Sequence, residues 1–366
     1  MSIIIVNSTA ARSSGALTIL KQFISALPTN DTQNEYYIFI NPQVKLKQVK
    51  NVHYIPIDTV SWAKRIYWDE IGLRKWMKKH KLIPDLFISF QNTGVKLDSN
   101  ISQLIYYHQL LPLTDHKWNV LKKDGFTLFL YQKFYAFFVS RYLTPQSHIV
   151  VQIPSIKKAF CEKFNFLKEK ISVIRPDTDT IDYKEIKDYL FNDRFLHFIY
   201  PATPFIHKNH IDIIKAMGIL KDRGKVSNIK IHFTFNKNEA PNLLNAILKL
   251  NMEDNFIFEG SLPYKQLLSL YKSATALLFP SYIETFGLPL VEAANAGLPI
   301  IAMDLPYARD VIGKYEGAKF IPLHDTEALA DAISDIIWHP KRFTPLAQEN
   351  ENNWNLFFQL IDKLKI

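Results

Sequence analysis

The chain has 366 residues, 48% apolar and 22% charged, which excludes a disordered protein and exceeds what one hydrophobic core usually supports. Its net charge of +9 is uneven, because up to Arg175 there are 24 Lys and Arg against 11 Asp and Glu, and beyond it 20 against 24. The only cysteine, Cys161, excludes an intramolecular disulfide and a thiolate metal cluster and fits a reducing cytoplasm.

Met1 and Ser2 lead straight into Ile3-Ile4-Ile5-Val6 with no basic stretch before a long apolar one, so no signal peptide is expected. No segment reaches the roughly 18 uninterrupted apolar residues that span a bilayer. The first half alternates strand-like runs (Ile3 to Val6, Tyr36 to Ile40, Val52 to Ile57, Leu86 to Phe90, Leu104 to Tyr107, Ile149 to Gln152) with helical spacing such as Leu17, Leu20, Phe23, Ile24 and Leu27. That alternation predicts a parallel α/β sheet. Residues 177 to 192 are polar and without period, which places a domain boundary there. Strands then resume at Phe195 to Tyr200, Ile229 to Phe235, Phe256 to Phe258, Ala276 to Phe279, Pro299 to Ala302 and Lys319 to Ile321, with helices from about Asn209, Pro241, Tyr264 and Leu288.

The expected organisation is a doubly wound domain over residues 1–180, a second over 181–345, and a closing helix over 346–366 packing back on the first. Two such domains would face each other across a cleft, and ligands bind beyond the carboxyl ends of their strands. The stripe Trp354, Phe357, Phe358, Leu360 and Ile361 suits packing better than catalysis.

The segment Pro280-Ser281-Tyr282-Ile283-Glu284-Thr285-Phe286-Gly287-Leu288-Pro289-Leu290-Val291-Glu292 follows the strand at Ala276 to Phe279. Gly287 permits close backbone approach and Pro289 fits a first helical turn, so a helix start is expected there, with unpaired amides suited to a diphosphate. Glu284 before the helix and Glu292 inside it flank that site, and carboxylates accept from the hydroxyls of sugars and riboses.

With its Glu, seven residues, Glu pattern and the following Gly297-Leu298-Pro299, this segment resembles the donor site of the retaining glycosyltransferases of family 4, whose GT-B architecture pairs two Rossmann-like domains. The likeness extends to bacterial O-antigen and surface polysaccharide enzymes. It implies that Glu284 contacts hydroxyls of the donor sugar, that Glu292 holds the ribose, and that the backbone of Phe286, Gly287 and Leu288 meets sugar and phosphate. It also gives Lys208, in His207-Lys208-Asn209 after the strand at Phe195 to Tyr200, the task of neutralising the leaving diphosphate. Many members have an arginine five positions before that lysine, where this chain has Thr203, so a second cation must come from elsewhere or be absent.

In the first domain the resemblance implies a loop whose amide approaches the donor phosphate, with Gly15 as the match, and a histidine at the reaction centre, His108. Taken alone, Gly15 reads as a turn residue and His108 as a satisfied polar residue at a strand end. Acceptor contacts are expected from Arg12, Ser13, Gln91 and Asn92, all after strands. No His, Asp and Glu grouping has metal-ligand spacing, so neither a metal nor another cofactor is expected, and the nucleotide sugar is a co-substrate.

The resemblance thus implies transfer of a hexose or deoxyhexose, mannose or rhamnose type, with retention, to a glycan acceptor that is lipid-linked, in O-antigen assembly. The basic first half favours such an anionic partner. Trp62 to Lys81, basic with three tryptophans, and the aromatic run Phe126 to Tyr142 read either as helices covering the sheet or as a contact with the inner membrane's cytoplasmic face. No recognition-helix, stacking or zinc-finger pattern supports nucleic-acid binding. A sugar-nucleotide epimerase or a catalytically silent scaffold on the same fold is the alternative.

Overall fold

The computed structural model of the protein describes residues 1–12, 14–97, 100–121, 123–178, 181–347 and 353–365. The chain divides into two compact units, Met1–Asp177 with Glu351–Ile366, and Thr178–Asn350.

The first unit runs β1 (Ile3–Ser8), α1 (Ser14–Asn30), β2 (Glu35–Ile40), β3 (Val52–Pro56), α2 (Trp62–Tyr67), α3 (Leu73–His80), β4 (Leu86–Ser89), β5 (Ser102–Tyr107), α4 (Lys123–Tyr142), β6 (Ser147–Val151), α5 (Pro154–Phe164) and β7 (Ile171–Val173). All seven strands pair in parallel in the order β3-β2-β1-β4-β5-β6-β7. Helices cover both faces of such a sheet, which is why Ile4, Ile5 and Val6 are consecutive apolar residues and all fully buried. Strand order reverses between β1 and β4, so the loops after these two strands diverge and leave a crevice at their carboxyl ends. A π turn at Trp68–Gly72 joins α2 to α3. The short β7 was not among the expected strands; its three residues stand between Lys168, Lys170 and Arg175 and are held by pairing with β6.

The second unit runs β8 (Leu196–Tyr200), α6 (His210–Asp222), β9 (Ile229–Phe233), α7 (Pro241–Lys249), β10 (Phe256–Phe258), α8 (Tyr264–Ser273), β11 (Ala276–Phe279), α9 (Leu288–Asn295), β12 (Ile300–Met303), α10 (Pro306–Ile312), β13 (Ala318–Ile321) and α11 (Thr326–Trp338). Its parallel sheet has the order β10-β9-β8-β11-β12-β13, with the reversal between β8 and β11. The segment before β8 is fastened by a polar chain: Asp193 Oδ1 lies 2.8 Å from His197 Nε2, His197 Nδ1 2.8 Å from His232 Nε2, and His232 Nδ1 2.6 Å from Glu259 Oε1. Phe191 stacks on His197 at 3.5 Å between ring centroids.

The closing helix α12 (Asn353–Leu364) belongs to the first unit. Phe358 stacks on Phe23 at 5.5 Å, Phe357 on Phe90 at 6.0 Å, and Trp354 on Tyr106 at 6.5 Å. Its apolar stripe is therefore core, and the Asn353 amide donates to Asp177 Oδ1 at 3.1 Å. Among the described residues no helix is long and apolar enough to cross a membrane.

Candidate active site

In the second unit the two strands at the reversal, β8 and β11, end at Tyr200 and Phe279, and the loops that follow them are stitched together. Tyr282 N and the Ser281 hydroxyl donate to the His207 carbonyl at 3.0 and 3.3 Å, and the Tyr200 hydroxyl donates to the Lys208 carbonyl at 2.6 Å. Asn209 opens α6 from the left-handed region at φ +58°, a conformation asparagine tolerates. Its buried side chain donates to Asp212 Oδ2 at 2.6 Å and to the Pro280 carbonyl at 3.2 Å. These bonds fix Lys208 so that its ammonium donates to Glu284 Oε1, a pair whose side chains are only 18% and 14% exposed. An ammonium has three donors and a carboxylate two oxygens, so each partner keeps capacity for a ligand while the other fixes its position.

Gly287 caps α9 at φ +81°, and a Cβ there would stand 3.2 Å from Leu290 Cδ1. Phe286, only 6% exposed, anchors the turn from inside, and Leu290 N donates to the Gly287 carbonyl at 2.9 Å. Pro289 sits in the first turn, which contains no acidic residue; with Pro289 lacking an N–H and Leu290 N engaged, the Leu288 amide at the helix start has no intrahelical acceptor. The helix start therefore favours an anion. Glu292 lies one turn further. Its carbonyl accepts from the Tyr183 hydroxyl at 2.9 Å, while burial and then the Glu292 carboxylate hold the Tyr271 phenol far above its ordinary range. Leu298 N and Gly297 N return to the Ala293 and Ala294 carbonyls, closing the helix with Gly297 at φ +69°. Thr203 is exposed and brings no charge, its carbonyl accepting from Phe205 N at 2.8 Å. His207 and His210 are held neutral, down to about 4 and about 3, by burial first and then by Lys208 or a neighbouring group.

In the first unit the carboxyl ends of β1, β4 and β5 carry a closed polar network. Gln91 Oε1 accepts from the Thr9 hydroxyl at 2.9 Å and Ala10 N at 3.0 Å, while the Gln91 carbonyl accepts from Arg65 Nη2 at 2.9 Å and the Tyr135 hydroxyl at 2.8 Å. Asn92 Oδ1 accepts from His108 N at 2.6 Å. Asp69 accepts from Asn7 Nδ2 at 3.2 Å and Gln91 Nε2 at 3.4 Å, with Arg65 Nε at 3.9 Å, yet burial outweighs these and pushes its carboxyl up to about 7. Burial, and then the charge of Arg65, hold the His108 ring down at about 4, so at neutral pH it is an uncharged imidazole that both donates and accepts.

Residues 183–352 match the family model of the group 1 glycosyl transferases. That stretch is similar to the group 1 glycosyl transferases, and the chain has a GT-B fold. It is 24% identical over 208 residues to the O-antigen chain mannosyltransferase RfbU of Salmonella typhimurium, a match covering 57% of this chain and 56% of that protein. The chain thus spans little more than half the length of that relative. Two solved structures share the architecture throughout: the lipopolysaccharide outer core galactosyltransferase WaaB (14% identity, TM-score 0.65, 99% of this chain and 100% of that one) and WaaG, a glycosyltransferase involved in lipopolysaccharide biosynthesis (16%, TM-score 0.67, 92% and 90%).

In the second unit the structure pairs Lys208 with Glu284, places Phe286, Gly287 and Leu288 at the start of α9 with Glu292 one turn into it, and leaves Thr203 exposed without a charge. The residues expected from the first unit fare differently. Gly15 stands in the first turn of α1 with open space where a Cβ would be, so packing does not demand a glycine there. Arg12 is exposed, and Ser13 lies outside the described residues. Gln91 and Asn92, expected at an acceptor, are 2% and 7% exposed with their side chains engaged inside the unit. Asn92 holds the backbone at His108, and Gln91 holds Thr9 and Ala10 after β1, instead of facing outward. Sequence reading missed Asn209 and Tyr200, which lock the Lys208 loop, and the Arg65–Asp69 pair. Asn209 carried a legible signal, an asparagine just ahead of a helix, whereas Asp69 lay among surface-like charges and only tertiary packing buries it.

Proposed function

We propose that the chain moves a hexose or deoxyhexose, mannose or rhamnose type, from a nucleotide diphosphate sugar to a lipid-linked glycan acceptor, with retention of anomeric configuration, in bacterial surface polysaccharide assembly at the cytoplasmic face of the inner membrane. The observation that carries this reading is the Lys208–Glu284 pair standing between the ends of β8 and β11, with the start of α9 and Glu292 following it. The relative named an O-antigen chain mannosyltransferase supports the choice of sugar and product.

The chemistry follows from the residues. The free oxygen of Glu284 accepts from hydroxyls of the donor sugar, and Glu292 accepts from the ribose. As the bond from the anomeric carbon to the diphosphate breaks, negative charge grows on the leaving oxygen. The remaining Lys208 donors and the α9 amides stabilise it without a metal ion. The sugar becomes oxocarbenium-like, the acceptor hydroxyl attacks from the face the diphosphate leaves, and its proton passes to the diphosphate. From the first unit we assign Gly15 and neutral His108 to the donor, and Arg12 to the acceptor. Replacing Glu284 by Ala is expected to leave nucleoside diphosphate binding measurable by calorimetry and to abolish sugar transfer. Full turnover by that variant sinks the assignment, and NMR of the product's anomeric proton decides retention.

A further inference from the structure

Tyr189 and Phe191, in the segment that leads into β8, rest on groups from three strands. Phe191 lies over His197 of β8 at 3.5 Å and His232 of β9 at 5.5 Å between ring centroids, and the Tyr189 hydroxyl donates to Glu259 Oε2, just past β10, at 3.0 Å. The same segment is tied to α8, where Ser273 Oγ accepts from Tyr189 N at 2.9 Å and Lys272 Nζ donates to the Ile186 carbonyl at 2.6 Å. The chain from Asp193 through His197 and His232 to Glu259 joins the segment to the sheet, and its two histidines are only 4% and 2% exposed.

Each of the three contacts in that chain, at 2.6 to 2.8 Å, needs one proton between its heavy atoms, because a lone pair facing a lone pair or a carboxylate at such a distance repels. Two neutral imidazoles carry only two protons. The third does not sit on Glu259, whose carboxyl is held below its ordinary range first by the hydrogen bond from His232. Nor does it fall to His197, which burial holds below its ordinary range against the pull of Asp193. His232 is left. As an imidazolium it donates through Nδ1 to Glu259 and through Nε2 to His197 Nδ1, and neutral His197 then donates through Nε2 to Asp193. The other charged or titratable groups acting on the chain are the Tyr189 phenol, through Glu259, and the Lys230 ammonium of β9, which opposes protonation of His197.

We propose that the buried His197–His232 pair is a one-proton latch, which holds the segment before β8 on the second sheet while His232 is an imidazolium and releases it when that proton leaves. Without the third proton one contact must be given up. The two inner contacts are buried, whereas the Asp193 side chain is 32% exposed and can turn to water, so the link from His197 to Asp193 opens. In acid, one more proton on the pair would set two N–H groups face to face between the rings. The latch is therefore closed only between those two limits.

The test joins histidine side-chain NMR of the full chain to tryptic cleavage after Lys184, Lys187 and Arg194, all exposed in or just ahead of the segment. At neutral pH the long-range nitrogen–proton spectrum is expected to show His232 protonated on both nitrogens and His197 as the neutral Nε2–H tautomer. When the pH is raised until the His232 spectrum is that of a neutral ring, cleavage at the three bonds should rise roughly tenfold, the effect of losing one hydrogen bond to a charged group. Glu259→Gln removes the need for the third proton, because the amide donates to His232 Nδ1 and its oxygen still accepts from Tyr189. Its segment should stay closed at that pH, and measuring it beside the wild type cancels the pH dependence of trypsin itself. Asp193→Ala should be cut as fast at neutral pH, relative to Glu259→Gln, as the wild type is after His232 has lost its proton. A neutral His232 at neutral pH, a His232 that keeps its proton until the unit unfolds, or a cleavage ratio of wild type to Glu259→Gln that stays constant through the titration overturns the proposal. If Glu259→Gln does not fold, as judged by circular dichroism, the His232 spectrum and the cleavage of the wild type relative to Asp193→Ala decide.

Discussion

Gly287 and Thr203 show how much of the site depends on single side chains. At φ +81° an L-residue is strained, and the nearest atom to a new Cβ belongs to Leu290 of the helix that Gly287 caps. Gly287→Ala is therefore expected to destabilise the second unit by about 1–2 kcal/mol and to weaken nucleoside diphosphate binding by displacing the start of α9. Urea denaturation and calorimetry check the two effects, and an unchanged affinity would detach the helix start from the phosphate. Thr203 is exposed and neutral where a second cation would help the diphosphate. Thr203→Arg should tighten nucleoside diphosphate binding roughly tenfold, the gain of one charge-assisted hydrogen bond. Weaker or equal binding would mean that another group already serves there. Glu284 and Glu292 stood out in the sequence because a strand, a turn glycine and a helix-compatible proline bracket them, whereas Lys208 was picked out through the resemblance. The bonds that aim Lys208 were not, since Asn209 reaches Pro280 across 71 positions of chain.

The helices divide into those whose pattern announced their partner and those whose pattern did not. The stripe on α12 reads as core, and packing places it there: Phe357 is fully buried between α12 and the aromatic cluster around Phe23 and Phe90. Truncation to alanine should cost the first unit about 3–5 kcal/mol, measured as a lowered denaturation midpoint, while donor binding by the second unit persists. A variant that melts like the wild type would remove α12 from that core. α4 has apolar residues on both faces, so periodicity could not tell which face the sheet takes. Its outward phenylalanines became visible only once Tyr135, Val139 and Tyr142 had been placed inside. The strand β7 escaped notice for a simpler reason, since three residues carry no period.

Across the whole molecule, buried titratable groups make stability depend on pH in two opposed ways. His108, His148 and His207 are held down to about 4, each by burial first, so the unfolded chain binds their protons more readily. Stability from this source is lost as pH falls from about 6.5 toward 4. Asp69 acts in reverse: its carboxyl is raised to about 7, so its burial costs nothing at low pH and its full amount above pH 7. Asp69→Asn should therefore match the wild type near pH 4 and exceed it above pH 7 by on the order of 3 kcal/mol, a gap that denaturation across a pH series would reveal. A constant difference would show that the carboxyl is ionised throughout.

The placement of α12 also sets an order of assembly. The aromatic residues that complete the first unit's core are translated after every strand and helix of the second, so on the ribosome the second unit has all its parts while the first still waits for Trp354, Phe357 and Phe358. The nascent amino-terminal half must remain incomplete, with Phe23 and Phe90 lacking their cover, until α12 has been made.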